Sequence, residues 1–118
     1  MTITEALDAT LADGGGTFDA HTFAPLGATW AWAVGGGIPG HTIELVAERD
    51  LEGALAQAFA ALVDAGADVI GTWLDEGVLY VDAVDLIEDT DEAIRLAAER
   101  GELAIYHLTT KTTLEVSR

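Results

Sequence analysis

Three histidines are the side chains of this sequence best suited to metal or acid–base chemistry, and 21 carboxylates accompany them. His21, His41 and His107 could bind zinc together with a carboxylate, because imidazole nitrogen and carboxylate oxygen are both zinc ligands. They lie far apart in the chain and show no paired ligand spacing, which favours three unrelated histidines. We therefore expect no metal and no cofactor. A small enzyme or metal-binding protein that uses carboxylates with one of these histidines remains the alternative.

Nucleophiles are scarce in this chain. There is no cysteine, which excludes disulfides, thiolate catalysis and cysteine-ligated zinc. Ser117 is the only serine and the second residue from the end, so serine catalysis is disfavoured. Carboxylate pairs suit acid–base catalysis, but any pair among 21 acids carries little information. The sequence predicts no catalytic residue and favours a protein that is not an enzyme.

Glycines at positions 35, 37 and 40 match the spacing of a dinucleotide-binding loop. Such a loop must connect a strand to a helix, so that the helix N-terminus meets the pyrophosphate. Here Pro39 lies inside the match, residues 41–46 alternate as a strand does, and no basic residue is near in sequence. These features favour a flexible hairpin loop over a phosphate site.

The formal net charge of −16 is the strongest property of the composition. Direct nucleic-acid binding is disfavoured because phosphate contacts require lysine and arginine, and binding to anionic membranes is disfavoured for the same reason. A protein partner with a basic surface suits this charge. Solubility alone or adaptation to high salt also explains it. The first residues lack a basic start and an apolar run, which predicts a cytoplasmic protein.

Charge is unevenly distributed along the chain. Residues 20–43 carry no charged side chain and include Trp30 and Trp32, whereas residues 82–92 carry six acids and no base. The six acids are Asp82, Asp85, Glu88, Asp89, Asp91 and Glu92. They could imitate a row of DNA phosphates, with Asp82 and Glu88 on one face of a strand. A solvated acidic surface is the simpler interpretation of the acids, and a role as core anchors is the simpler interpretation of Trp30, Trp32 and Trp73.

The elements that must position these residues are short and alternate in type. Helix periodicity and capping signals predict helices over residues 2–12, 51–65 and 89–100. Alternating apolar residues between turn signals predict strands over 17–24, 28–34, 41–47, 69–74, 78–88, 103–108 and 112–116. The strands at 69–74 and 78–88 should form a hairpin around Asp75-Glu76-Gly77.

This order predicts a single α+β domain over residues 1–118, with a mostly antiparallel sheet and two to three helices packed on one face. Its core is expected to contain the large apolar side chains of the helices and central strands. The predicted core residues are Leu7, Leu11, Leu55, Phe59, Leu62, Ile70, Val81, Ile94 and Ile105.

Several segments of the chain resemble small acidic proteins of actinobacterial phages and mobile elements. The segments are GTWLD at 71–75, YVD at 80–82, DEA at 91–93, ERGELAIY at 99–106 and GGTFD at 15–19. The resemblance implies a high-GC host and an accessory role, and it carries no activity and no site residues.

These observations together predict a non-enzymatic accessory protein that binds a protein partner. A more specific version of this prediction is that the chain inhibits a nucleic-acid-binding partner. The six acids would provide the electrostatic attraction. Trp30 and Trp32 would add an apolar anchor, because tryptophan is enriched among the residues that dominate binding energy.

Overall fold

The computed structural model describes residues 2–27 and 29–116, and these residues form three helices. They are α1 (Ile3–Asp13), α2 (Leu51–Asp64) and α3 (Thr90–Glu99). Thr2 and Glu5 form the predicted capping box of α1, while Asp50 and Asp89 cap α2 and α3. No helix in this part of the chain is long and apolar enough to cross a membrane.

Eight described strands form two four-stranded antiparallel sheets. The strands of sheet A are β1 (Gly15–Asp19), β3 (His41–Glu44), β4 (Val69–Asp75) and β5 (Val78–Ala83). Those of sheet B are β2 (Trp32–Val34), β6 (Asp85–Ile87), β7 (Ala104–His107) and β8 (Thr113–Glu115). Sheet A has the order β1-β4-β5-β3, and sheet B has the order β6-β2-β7-β8. The α+β class and antiparallel pairing are confirmed, but the chain builds two sheets where the sequence suggested one.

The predicted strand over 78–88 divides between the two sheets. Its first part is β5, next to β4, and its second part is β6, next to β2. Val84 lies between them, and its N–H donates to the carbonyl of Val69 at 3.0 Å. The adjacent apolar residues Ala83 and Val84 interrupt the alternation of apolar and polar positions at this point. The prediction that Asp82 and Glu88 share one face of a strand is therefore wrong.

Helices α1 and α2 pack on one face of sheet A and enclose the larger core. Its largest fully buried side chains are Leu55, Phe59, Leu62, Phe18, Ile70, Leu79 and Val81. The prediction of Leu11 as a core residue is wrong, since it is 42% exposed. The buried residues of α1 are Ala6, Thr10 and the predicted Leu7, and the Thr10 hydroxyl forms a hydrogen bond of 2.8 Å with the Thr72 hydroxyl of β4.

Helix α3 packs on sheet B and encloses a second, smaller core. Trp32 and Val34 of β2 meet Ala93 and Ala97 of α3 there, together with Ile105 of β7. The predicted strand over 28–34 begins only at Trp32, so Trp30 precedes it.

Candidate functional site

Five of the six predicted partner-binding acids follow one another along sheet B and into α3. Asp85 begins β6, Glu88 follows that strand, and Asp89 caps α3. Asp91 and Glu92 belong to the first turn of α3. All five are exposed, and we call them the acidic segment.

Most of the charge of the acidic segment is uncompensated. Asp85 Oδ2 lies 2.8 Å from Arg100 Nη1, and this is the segment's one ion pair among the described residues. Asp89 Oδ2 accepts a hydrogen bond from the Glu92 N–H at 2.9 Å. The helix N-terminus partly offsets the charge of Asp89, Asp91 and Glu92, since carboxylates are stabilised there. The remaining negative charge is open to solvent and to a cationic partner.

Asp82, the sixth predicted acid, lies apart from the acidic segment. It is in β5 of sheet A and points away from the core, because its neighbours Val81 and Ala83 are buried. Partial burial, and secondly the nearby Glu102 carboxylate, raise the pKa of Asp82, while His41 acts in the opposite direction. Asp82 is therefore a half-buried carboxylate in different surroundings from the other five.

The two predicted tryptophan anchors differ in environment. Trp32 is 9% exposed, and its indole Nε1–H donates to the Thr90 hydroxyl at 2.9 Å. Trp30 is 66% exposed. The simpler interpretation, a core anchor, therefore holds for Trp32, and of these two tryptophans Trp30 is the one that offers an aromatic surface to a partner.

His107 holds the two tryptophans together. Its ring centroid lies 4.8 Å from that of Trp30 and 4.9 Å from that of Trp32, both in edge-on geometry. Its Nδ1 accepts hydrogen bonds from the backbone N–H groups of Thr109 and Thr110, each at 3.2 Å. Nδ1 must then lack a proton, so the neutral ring carries its proton on Nε2.

Sequence reasoning considered His107 as a metal ligand or as part of a small carboxylate and histidine enzyme, and it missed this structural role. The end of the strand is a local signal for a turn at Thr109 and Thr110, whose N–H groups need an acceptor, but no local signal indicates the contacts with Trp30 and Trp32.

These contacts bring the exposed tryptophan and the acidic segment into one half of the molecule. Trp30 rests on His107, His107 contacts Trp32, and Trp32 bonds to Thr90. Thr90 stands between Asp89 and Asp91 of the acidic segment. We call Trp30 and the acidic segment together the aromatic–acidic surface.

The histidines do not converge. His21 lies in the loop after β1 and contacts exposed Asp68 at 3.4 Å, His41 begins β3, and His107 ends β7. Within residues 2–27 and 29–116, no group of three histidines or carboxylates has a geometry that could hold a metal ion.

The glycine-rich loop at 35–40 joins β2 to β3, so no helix follows it and the spacing of a dinucleotide site lacks its structural context. The two strands belong to different sheets, which makes the loop a crossover rather than the hairpin that the sequence suggested. Arg100 Nη1 donates to the Gly35 carbonyl at 3.2 Å, so a basic side chain that is distant in sequence holds the loop against the end of α3.

Trp73 does not join either core. It is 55% exposed on the outer face of sheet A, directly opposite Tyr80 of β5, which is 38% exposed. Its interpretation as a core anchor is therefore wrong.

Comparison with family models, with curated proteins and with solved structures found no match for this chain.

Proposed function

We propose that this chain is a non-enzymatic accessory protein that binds another protein through the aromatic–acidic surface. The observation that carries the proposal is the hydrogen bond from Trp32 to Thr90, which joins the aromatic residues to the start of α3. It places an exposed tryptophan and a largely uncompensated acidic segment on the same half of the molecule. The fitting partner presents a basic surface with an apolar pocket.

The two parts of the surface contribute differently to binding. Surface charges of opposite sign speed encounter and bias the choice of partner more than they raise affinity. A large aromatic side chain that becomes buried provides much of the binding energy. Trp30 is suited to that role because His107 beneath it is buried and held by two backbone hydrogen bonds.

Inhibition of a nucleic-acid-binding partner is the specific form of this proposal. A groove that binds DNA is lined with lysine and arginine, which attract phosphates through charge and hydrogen bonds. Exposed carboxylates offer the same acceptor oxygens and the same sign of charge. The acidic segment would occupy such a groove and exclude the nucleic acid.

The test is affinity capture from a lysate of the organism that encodes the chain, with and without excess duplex DNA, read by mass spectrometry. The test variant E88Q/D89N/D91N/E92Q removes four charges from the acidic segment, and the Asn at position 89 still caps α3. The control variant D8N/D13N/E52Q/D64N removes four charges from exposed positions of α1 and α2. The two variants therefore have the same net charge.

The proposal is supported if the wild type and the control variant capture a nucleic-acid-binding protein that the test variant does not capture. Excess duplex DNA should also displace this protein from the wild type. A partner that all three proteins retain contradicts the role of the acidic segment. A partner whose capture is unchanged by duplex DNA would contradict inhibition by DNA mimicry but would still support protein binding.

A further inference from the structure

Strand β3 is an edge of sheet A, and no strand among residues 2–27 and 29–116 pairs with its outer side. The pairing with β5 continues past the strand, where the Leu45 N–H donates to the Gly77 carbonyl at 3.0 Å. Backbone groups of successive residues in an antiparallel strand point alternately toward the two neighbouring positions. Thr42 therefore directs its N–H and C=O groups to the open edge, and Glu44 directs its N–H there. The Glu44 carbonyl is already used, because it accepts from the Ala47 and Glu48 N–H groups of the following turn at 3.2 and 3.0 Å.

A groove of about 470 Å³ runs beside this edge, between β3 and α2. Its α2 wall consists mainly of the small side chains of Ala54, Ala58 and Ala61. Such a wall leaves room for the side chains of an additional strand. An open edge beside a groove of this kind is the arrangement in which extended peptides bind by strand addition, with backbone bonds for affinity and side-chain pockets for specificity.

The negative charge at the groove favours a basic segment as its occupant. Glu44 and Glu48 line it, and no lysine or arginine is among the described residues that do so. On the outer face of the sheet, Thr42 lies between the open edge and Tyr80, its partner in β5. A long basic side chain on that face of an added strand can reach Glu44 on β3, or pass over Thr42 to the Tyr80 ring. The Glu44 carboxylate and the Tyr80 ring both attract cations.

We infer that the β3 edge and the α2 groove bind an extended basic segment of a partner protein as a fifth strand of sheet A. Alternate residues of the segment are small and apolar and enter the groove, and the residues between them are lysine or arginine. The inference goes beyond the proposed function, because it concerns a different surface and stands without the acidic segment.

A second copy of this chain is a poor occupant. Antiparallel pairing of two β3 strands would bring Glu44 and Glu48 of both copies to one interface between chains of formal charge −16. Like charges placed opposite each other across strands are destabilising.

The test uses a labelled peptide of alternating arginine and valine as its probe. Titration should show saturable binding, and hydrogen exchange should show new protection at the Thr42 and Glu44 amides. A peptide with glutamate in place of arginine should not bind. A basic peptide that is N-methylated at those alternate backbone nitrogens that face β3 should not bind. These N–H groups are the donors of the hydrogen bonds between the added strand and β3.

Two pairs of variants locate the site. Thr42→Pro removes an outward N–H and should weaken binding about tenfold, whereas Thr42→Ser keeps that donor and should bind normally. Proline at this position removes no bond to β5. Ala61→Leu fills the groove and should also weaken binding, whereas Ala60→Leu, exposed on α2 and not lining the groove, should not. The Ala61 pair decides the question if Thr42→Pro fails to fold.

Several results would overturn the inference. They are the absence of binding at millimolar peptide, equal binding of the glutamate peptide, unchanged binding by Ala61→Leu, and protection at the Trp73 face instead of the β3 edge. A dimer in sedimentation that Thr42→Pro dissociates would make a second copy the occupant and would equally overturn it.

Discussion

The indole Nε1–H of Trp32 donates to Thr90 Oγ1 at 2.9 Å, across 58 residues of sequence. Trp32 lies in a central strand of sheet B, and Thr90 is the first residue of α3. The bond fixes the start of the helix relative to the sheet. It thereby also fixes the acidic segment relative to Trp30.

Removal of this bond should lower stability by a measurable amount. Trp32→Phe keeps an aromatic ring in the smaller core but loses the donor, and Thr90→Val loses the acceptor. Each should reduce the free energy of unfolding in urea by at least about 1 kcal/mol. A double-mutant cycle should give a coupling of about 1 kcal/mol, and additive effects would show that the two side chains act independently.

The free energy of unfolding should depend more on the hydrogen-bond acceptor of His107 than on its aromatic ring. His107→Phe leaves the Thr109 and Thr110 N–H groups without their partner and should cost about 1–3 kcal/mol of unfolding free energy. His107→Asn keeps an acceptor near the same position but removes the ring beneath Trp30. Tryptophan fluorescence should report the second change, and equal stability of the two variants would contradict the acceptor role.

Asp82 should make the protein less stable as the pH rises. Burial and, secondly, the Glu102 carboxylate raise the pKa of Asp82 in the folded state above its ordinary value of 3.8, so folding favours the protonated form. Stability from this group is therefore fully present below pH 3.8 and is lost as the pH rises through the folded pKa. Asp82→Asn should raise the Tm at pH 7, and the difference should vanish below pH 3.8. A constant difference across this range would contradict the assignment.

Salt should affect stability only modestly. Self-repulsion among surface carboxylates is least screened at about 10 mM salt, where the Debye length is about 30 Å. The two hydrophobic cores should nevertheless keep the chain folded there, with a Tm somewhat below that in 1 M salt. Circular dichroism during dialysis checks this result. Unfolding on removal of salt would instead indicate that the acidity is an adaptation to high salt.

Local signals predicted the local structure of this chain well. The Thr2–Glu5 capping box and the apolar face of α2 gave those helices correctly. The β4–β5 hairpin follows from Glu76-Gly77, whose φ angles of 48° and 78° suit a two-residue turn. The division into two sheets was not predicted, because the alternation of side chains shows which face of a strand is buried and not which strands pair.

The candidate site was predicted only in part. Exposure of Glu88, Asp91 and Glu92 follows from their charge, which is costly to bury. The difference in exposure between Trp30 and Trp32 depends on where β2 begins, and this is set by the pairing of β2 with β6 and β7. The contact of His107 with both tryptophans joins residues distant in sequence, and nothing local announces it.

The chain passes between the sheets more than once: β1 lies in sheet A, β2 in sheet B, β3 to β5 in sheet A, and β6 to β8 in sheet B. A cut after Ala83 would leave β2 with neither of its neighbours, β6 and β7. A fragment that ends at Ala83 would contain every strand of sheet A, but it would hold Trp32 and Val34 without the rest of their core.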